Sequence, residues 1–100
     1  MKLVRDKIPN IIRKQGRMPN IRIAADSEYV QLLLKKLDEE VTEYQISREP
    51  EELADIIEVA IALGKTHKIS PAKLEQVRKK KAKERGTFDK KIVWMGNAPK

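Results

Sequence analysis

The sequence predicts an all-α fold, a single helical domain over residues 1–100 with a short extended tail at its C-terminal end. Three observations predict it. Apolar side chains between Asp26 and Ser47 recur every three or four residues, the period of a helix with one buried face. Pro50 and Pro71 each follow a polar turn, where proline suits the first turn of a new helix. The only aromatics are Tyr29, Tyr44, Phe88 and Trp94, among 40 % hydrophobic and 37 % charged residues, which argues against sandwiches and barrels.

Taken in order, Ile8, Ile11 and Ile12 with Pro9 in the first turn predict a short helix from Arg5 to Gln15, stopped by Gly16. "GRMPNIRIAAD" has the composition of a loop. Asp26 or Ser27 is placed to cap a long helix reaching about Ser47, with Val30, Leu33, Leu34, Leu37, Val41 and Tyr44 on one stripe. Pro50, Glu51 and Glu52 open a third helix, the acids suiting the positive end of its dipole. So short a turn between the second and third helices predicts an antiparallel pair. "IIEVAIALG" is apolar nearly all round, more than a chain this small can surround, so a second subunit is expected against it. Ser70 caps and Pro71 opens a fourth helix, which runs through "AKLEQVRKKKAKER" to Gly86.

With no cysteine and a single His67, disulfides, thiolate metal sites and imidazole clusters are all excluded. Any metal must be held by oxygen. Charges interrupt "MKLVRDKIPNIIRKQG" too often for a signal-peptide core or a membrane span, so a cytoplasmic protein with no membrane role is expected. A formal net charge of +7 points to polyphosphate partners, whether nucleic acid or free nucleotides.

The charge is unevenly placed. Asp38 to Glu58 holds nine of the fifteen carboxylates and one cation, Arg48, so this segment carries −8 and the remainder +15. Glu40 and Glu43 are three residues apart, Glu39 is four from Glu43, and all three can share a helix face. Glu40 also falls between Leu37 and Tyr44, where the apolar stripe would reserve a hydrophobic side chain. A bare carboxylate there is costly. Glu52 and Asp55 repeat the spacing on the third helix, in line with Val59 and Ala62, and the antiparallel pairing turns them toward Glu40 and Glu43.

Four converging carboxylates leave two options, shared protons or a divalent cation. Oxygen ligands suit Mg²⁺ or Mn²⁺, and Mg²⁺ held by few carboxylates also takes substrate phosphates. Lys81, Lys83 and Arg85 in "RKKKAKERGTF" offer cations for those phosphates. A metal-bridged polyphosphate invites hydrolysis, with a nearby glutamate accepting the proton of water.

"EEVTE" followed by "ELAD" resembles the paired ExxE and ExxD helices of the MazG-like all-α nucleotide pyrophosphohydrolases, the superfamily that includes phosphoribosyl-ATP pyrophosphohydrolase. The opening "KLVRDKIPNII", the centre "EELADIIEV" and the closing "ERGTFDKKIVW" are similar to its short house-cleaning branch, so the resemblance covers nearly the whole chain. It implies a MazG-like bundle completed by dimerisation or higher homo-oligomerisation. It also implies Mg²⁺-dependent cleavage of a nucleoside triphosphate or related nucleotide, phosphoribosyl-ATP-like substrates included, between the α and β phosphates. Under the resemblance Glu40, Glu43, Glu52 and Asp55 match the metal ligands, and Glu39 matches the first acid of the doubled pair, making Glu39 and Glu43 the catalytic candidates. Lys81 and Arg85 fall where relatives contact phosphate, with Lys83 beside them, and Arg5, Asp6 and Lys7 match a branch signature, Arg5 and Lys7 being its substrate-binding candidates. Only eight residues separate Glu43 from Glu52, fewer than in many relatives, which leaves the substrate base open.

Other readings stand beside this one. The basic run can be a solvated helix end or a nucleic-acid patch, and the whole chain a noncatalytic nucleic-acid-binding protein. The acids can instead pair with the basic run of a neighbouring subunit. Asp6 can cap the first helix or form local salt bridges, Glu58 suits a surface salt bridge, His67 a helix end and Trp94 a packing or interface contact.

Overall fold

The computed structural model describes residues 1–99 and contains α1 (Ile8–Lys14), α2 (Asp26–Ser47), α3 (Pro50–Thr66) and α4 (Pro71–Arg85), with no strand among the described residues. The all-helical expectation is met. Pro9, Pro50 and Pro71 all lie in the first two positions of their helices, where a missing N–H leaves no bond unmade. Ser70 caps α4 as expected, its Oγ accepting the Lys73 N–H at 3.1 Å.

Two starts differ from expectation. α1 begins at Ile8 rather than Arg5, with Lys7 at its N-cap and no side-chain cap, so Asp6 does not cap it. α2 begins at Asp26, but Ala25 occupies the N-cap position without a capping bond. Asp26 and Glu28 sit in its first turn, where their charge meets the positive end of the helix dipole. The preceding loop is tied there by a fork, Arg22 Nη1 and Nη2 each donating to a Glu28 carboxylate oxygen at 2.6 Å. That bond holds the Glu28 carboxyl below its ordinary range.

At its other end α2 closes on Arg48 in the left-handed conformation, φ 58°, and the chain turns directly into Pro50. α2 and α3 consequently pack antiparallel. Glu40 lies beside Asp55 near the turn, and Tyr29 and Leu33 share a cavity with Ala62 and Lys65 at the far end. Leu33 and Val59 are the buried large apolar side chains between them. Val30, Leu37, Val41 and Tyr44 of the expected stripe are half-buried, and Leu34 is exposed.

His67 ends α3, and α4 packs against that end, near the buried Gly64. Among the described residues α1 packs on none of the other helices. Residues 87–99 form neither helix nor strand, and Phe88, Ile92, Val93, Trp94 and Met95 are all exposed.

A single chain is left extended. Its radius of gyration is 18.2 Å and its extents are 67 × 32 × 22 Å, against about 13 Å expected of a compact chain of this length. Its accessible surface is 9407 Å², well above the roughly 5,800 Å² of a folded monomer of 11.5 kDa. Leu53 and Ile57 share a face of α3 that remains exposed, while Val59, across the helix from Ile57, is buried. No helix among the described residues is long and apolar enough to cross a membrane.

Candidate functional site

Glu40 stands seven residues after Leu33 on α2 and therefore on the same inward face. The helix pair buries it. Only 6 % of its surface is exposed, and Oε2 has no hydrogen-bond partner among the described residues. Its other oxygen, Oε1, lies 3.3 Å from Lys36 Nζ, one turn earlier on the same helix. Burial pushes the Glu40 carboxyl above its ordinary range; the bond from Lys36 opposes this, while the charges of Glu43 and Asp55 add to it.

Across the pair, Glu52 and Asp55 are half-buried on successive turns of α3. One carboxylate oxygen from each of Glu40, Glu52 and Asp55 falls within 4.8 Å of the others, close enough for a single cation to touch all three. Glu43 is exposed and outside this trio, though near enough for its charge to act on Glu40. Three of the four expected ligands thus converge in one chain, with Glu43 at their edge.

Glu39 is not one of the trio. It is held by Lys2 Nζ at 3.6 Å and Lys36 Nζ at 3.5 Å. Arg5 reaches α3 from the N-terminal segment, Nη1 donating to Asp55 Oδ1 at 3.1 Å and Nη2 lying 3.6 Å from Glu58 Oε1. Glu58 thereby forms the salt bridge its position suggested. Three cations, Lys2, Arg5 and Lys36, stand against four of the acids.

A cavity of about 280 Å³ opens beside the trio, with Glu40, Asp55 and Glu58 in its wall. Leu3, Val4, Leu33, Val59 and Ala62 make it apolar, Tyr29 supplies an aromatic ring, and Arg5, Lys36 and Lys65 bring positive charge. It is just below the usual size of a small-molecule site. Asp6 lines it, whereas Lys7 does not. Lys81, Lys83 and Arg85, on the exposed end of α4, also lie outside its lining.

Lys36, Lys65 and Tyr29 were not among the residues the sequence singled out. For Lys36 the signal was present, since it precedes Glu39 by three residues and Glu40 by four. Nothing in the sequence announced that Leu3 to Asp6 would fold over the α2–α3 pair.

No family model matches the chain, and no solved structure matches it. A curated relative in Mycolicibacterium smegmatis, described only as an uncharacterized protein, is 58 % identical over 41 residues, 41 % of this chain. The chain spans 42 % of that relative's length.

Proposed function

We propose that the chain is a divalent-cation-dependent nucleotide pyrophosphohydrolase of the MazG-like kind, working in the cytoplasm and cleaving between the α and β phosphates to give a monophosphate and pyrophosphate. The observation that carries this reading is the trio of Glu40, Glu52 and Asp55, one member of which, Glu40, is buried with its Oε2 unpartnered among the described residues. A buried carboxylate oxygen without a donor is costly, and a cation satisfies it. A cluster of hard oxygen ligands, with no histidine or cysteine in it, fits Mg²⁺ or Mn²⁺.

Glu40, Glu52 and Asp55 would hold the ion, with Glu43 completing the set by a side-chain rotation from its exposed position. Bound there, Mg²⁺ supplies charge neutralisation for a polyphosphate and lowers the pKa of bound water. Glu43 would accept the proton of water attacking phosphorus, with Glu39, now held by Lys2 and Lys36, as the second candidate. The cavity would take the nucleoside end of the substrate against Tyr29 and its apolar wall, with Lys36, beside Glu40, facing the phosphates. The exposed Leu53 and Ile57 and the extended shape support a homodimer or larger homo-oligomer. In such an assembly Lys81, Lys83 and Arg85 approach the phosphates from a second copy.

The test is a pyrophosphate-release screen over ordinary, deoxy and damaged nucleoside triphosphates and phosphoribosyl-ATP, with and without Mg²⁺. Release that requires Mg²⁺ and disappears in Glu43→Gln and Asp55→Asn is expected. Absence of release from every nucleotide, together with nucleic-acid affinity that falls steeply with salt, would replace this reading by the nucleic-acid-binding one.

A further inference from the structure

We infer that Arg5 is an internal counter-cation of the carboxylate centre, displaced from Asp55 when a divalent ion binds, and that the segment it anchors, Leu3 to Asp6, is a movable wall of the neighbouring cavity. This rests on the metal reading proposed above. Its basis is a competition for the same carboxylate. Arg5 Nη1 donates to Asp55 Oδ1 at 3.1 Å, and Asp55 is also one of the three acids whose oxygens fall within 4.8 Å of one another. A divalent ion there draws electron density from Asp55 and repels the guanidinium beside it. The two cations cannot both be held at full strength.

The segment is attached so that such a loss would free it. Met1 to Val4 make no backbone–backbone hydrogen bond among the described residues, and the first such bond in the chain is Ile8 N–H to Arg5 C=O. Val4, Arg5 and Asp6 are exposed and Leu3 is only half-buried. Side-chain ion pairs therefore do much of the anchoring, Arg5 to Asp55 and Glu58 on α3 and Lys2 to Glu39 on α2. Exposed pairs of this kind are worth about 1 kcal/mol or less each. An ion bound by three carboxylates can outcompete them.

The segment also stands between two cavities. Leu3, Val4, Arg5, Asp6 and Tyr29 line both the 280 Å³ cavity beside the acids and a second one of about 890 Å³ that reaches Arg22 and Ile23. When Arg5 lets go, the partition moves and the smaller cavity opens toward the larger. The released guanidinium, tethered within reach, becomes available to a phosphate group, for which its fork geometry is suited. Ion binding thus readies the site for a polyphosphate larger than the 280 Å³ cavity admits.

Two measurements test this on the full chain with Mg²⁺ alone as probe. In the unmodified protein, titration with Mg²⁺ followed by ¹H–¹⁵N spectra is expected to move the amides of Leu3 to Lys7 toward random-coil positions while those of α4 stay in place. By calorimetry, Arg5→Gln is expected to bind Mg²⁺ about threefold to tenfold more tightly than the unmodified chain, because the ion no longer displaces a competitor. Arg5→Lys, which keeps the charge without the fork, should lie between them. If Mg²⁺ binds but the Leu3 to Lys7 amides do not move, or if Arg5→Gln binds no more tightly, the exchange is overturned and the metal reading survives. If the unmodified chain takes up no Mg²⁺, both fall together.

Discussion

Lys36 Nζ sits 3.3 Å from Glu40 Oε1 on the same helix, and the other oxygen of that buried carboxylate has no partner among the described residues. One lysine half-compensates a group that the α2–α3 pair has almost wholly removed from water.

Glu40 should consequently weaken the metal-free protein whenever it is ionised. Its carboxyl is raised in the folded state, so the native chain holds this proton more tightly than the unfolded chain does. The sign follows: its contribution favours folding at pH below the ordinary glutamate range and is lost as pH rises from that range through the raised native value. Glu40→Gln is expected to raise metal-free stability near neutral pH by about 1 kcal/mol, roughly 5 °C in Tm, and to flatten this pH dependence. Thermal melts in chelator across pH 4 to 8, at about half-unit steps around the reference glutamate pKa, measure both. A drop in Tm on substitution at neutral pH would show that Lys36 already compensates the charge.

Mg²⁺ should reverse that penalty. The unmodified chain is expected to gain stability on addition of Mg²⁺ or Mn²⁺ and to lose the gain with chelator, as any ligand of the native state requires. Asp55→Asn and Glu52→Gln should abolish the gain. Differential scanning calorimetry at matched ionic strength separates ion binding from simple screening of the acids.

Activity gives a sharper separation among the acids. Asp55→Asn should cost at least about a hundredfold in kcat/KM for pyrophosphate release, since even outer-shell partners of a metal ligand are worth 10-fold to 100-fold. Glu39→Gln, whose carboxylate is engaged by Lys2 and Lys36, should cost less than Glu43→Gln. Equal losses would place Glu39 in the chemistry on the same footing as Glu43.

Assembly should depend on the α3 face that carries Leu53 and Ile57. Ile57→Glu is expected to shift sedimentation toward the monomer and to lower Tm in a concentration-dependent way. A monomeric unmodified protein would mean that this exposed face stays in water.

Gly64 offers a control in the fold itself. A Cβ there would meet Leu74 Cδ2 at 3.6 Å and the Ile69 carbonyl oxygen at 3.7 Å, which are ordinary contacts. Because the position is helical, Gly64→Ala should stabilise the chain by about 0.5–1 kcal/mol in a urea melt, with pyrophosphate release unchanged.

Much of this molecule was determined by local rules that the sequence displays. Prolines at helix starts, Ser70 as a cap and glycines after α1 and α4 fix where helices begin and end, because those constraints act within a few residues. The spacing of Glu40, Glu52 and Asp55 against the apolar stripe brought the same three acids together, because helical periodicity and a short turn leave an antiparallel pair little freedom. Tertiary structure alone decided the remainder. Glu43 stands at the edge of the trio, the basic end of α4 lies outside the cavity wall, and Arg5 lies against Asp55 from fifty residues away. Contacts of that kind depend on how irregular segments lie across the helix pair, and no period or cap in the chain encodes their path.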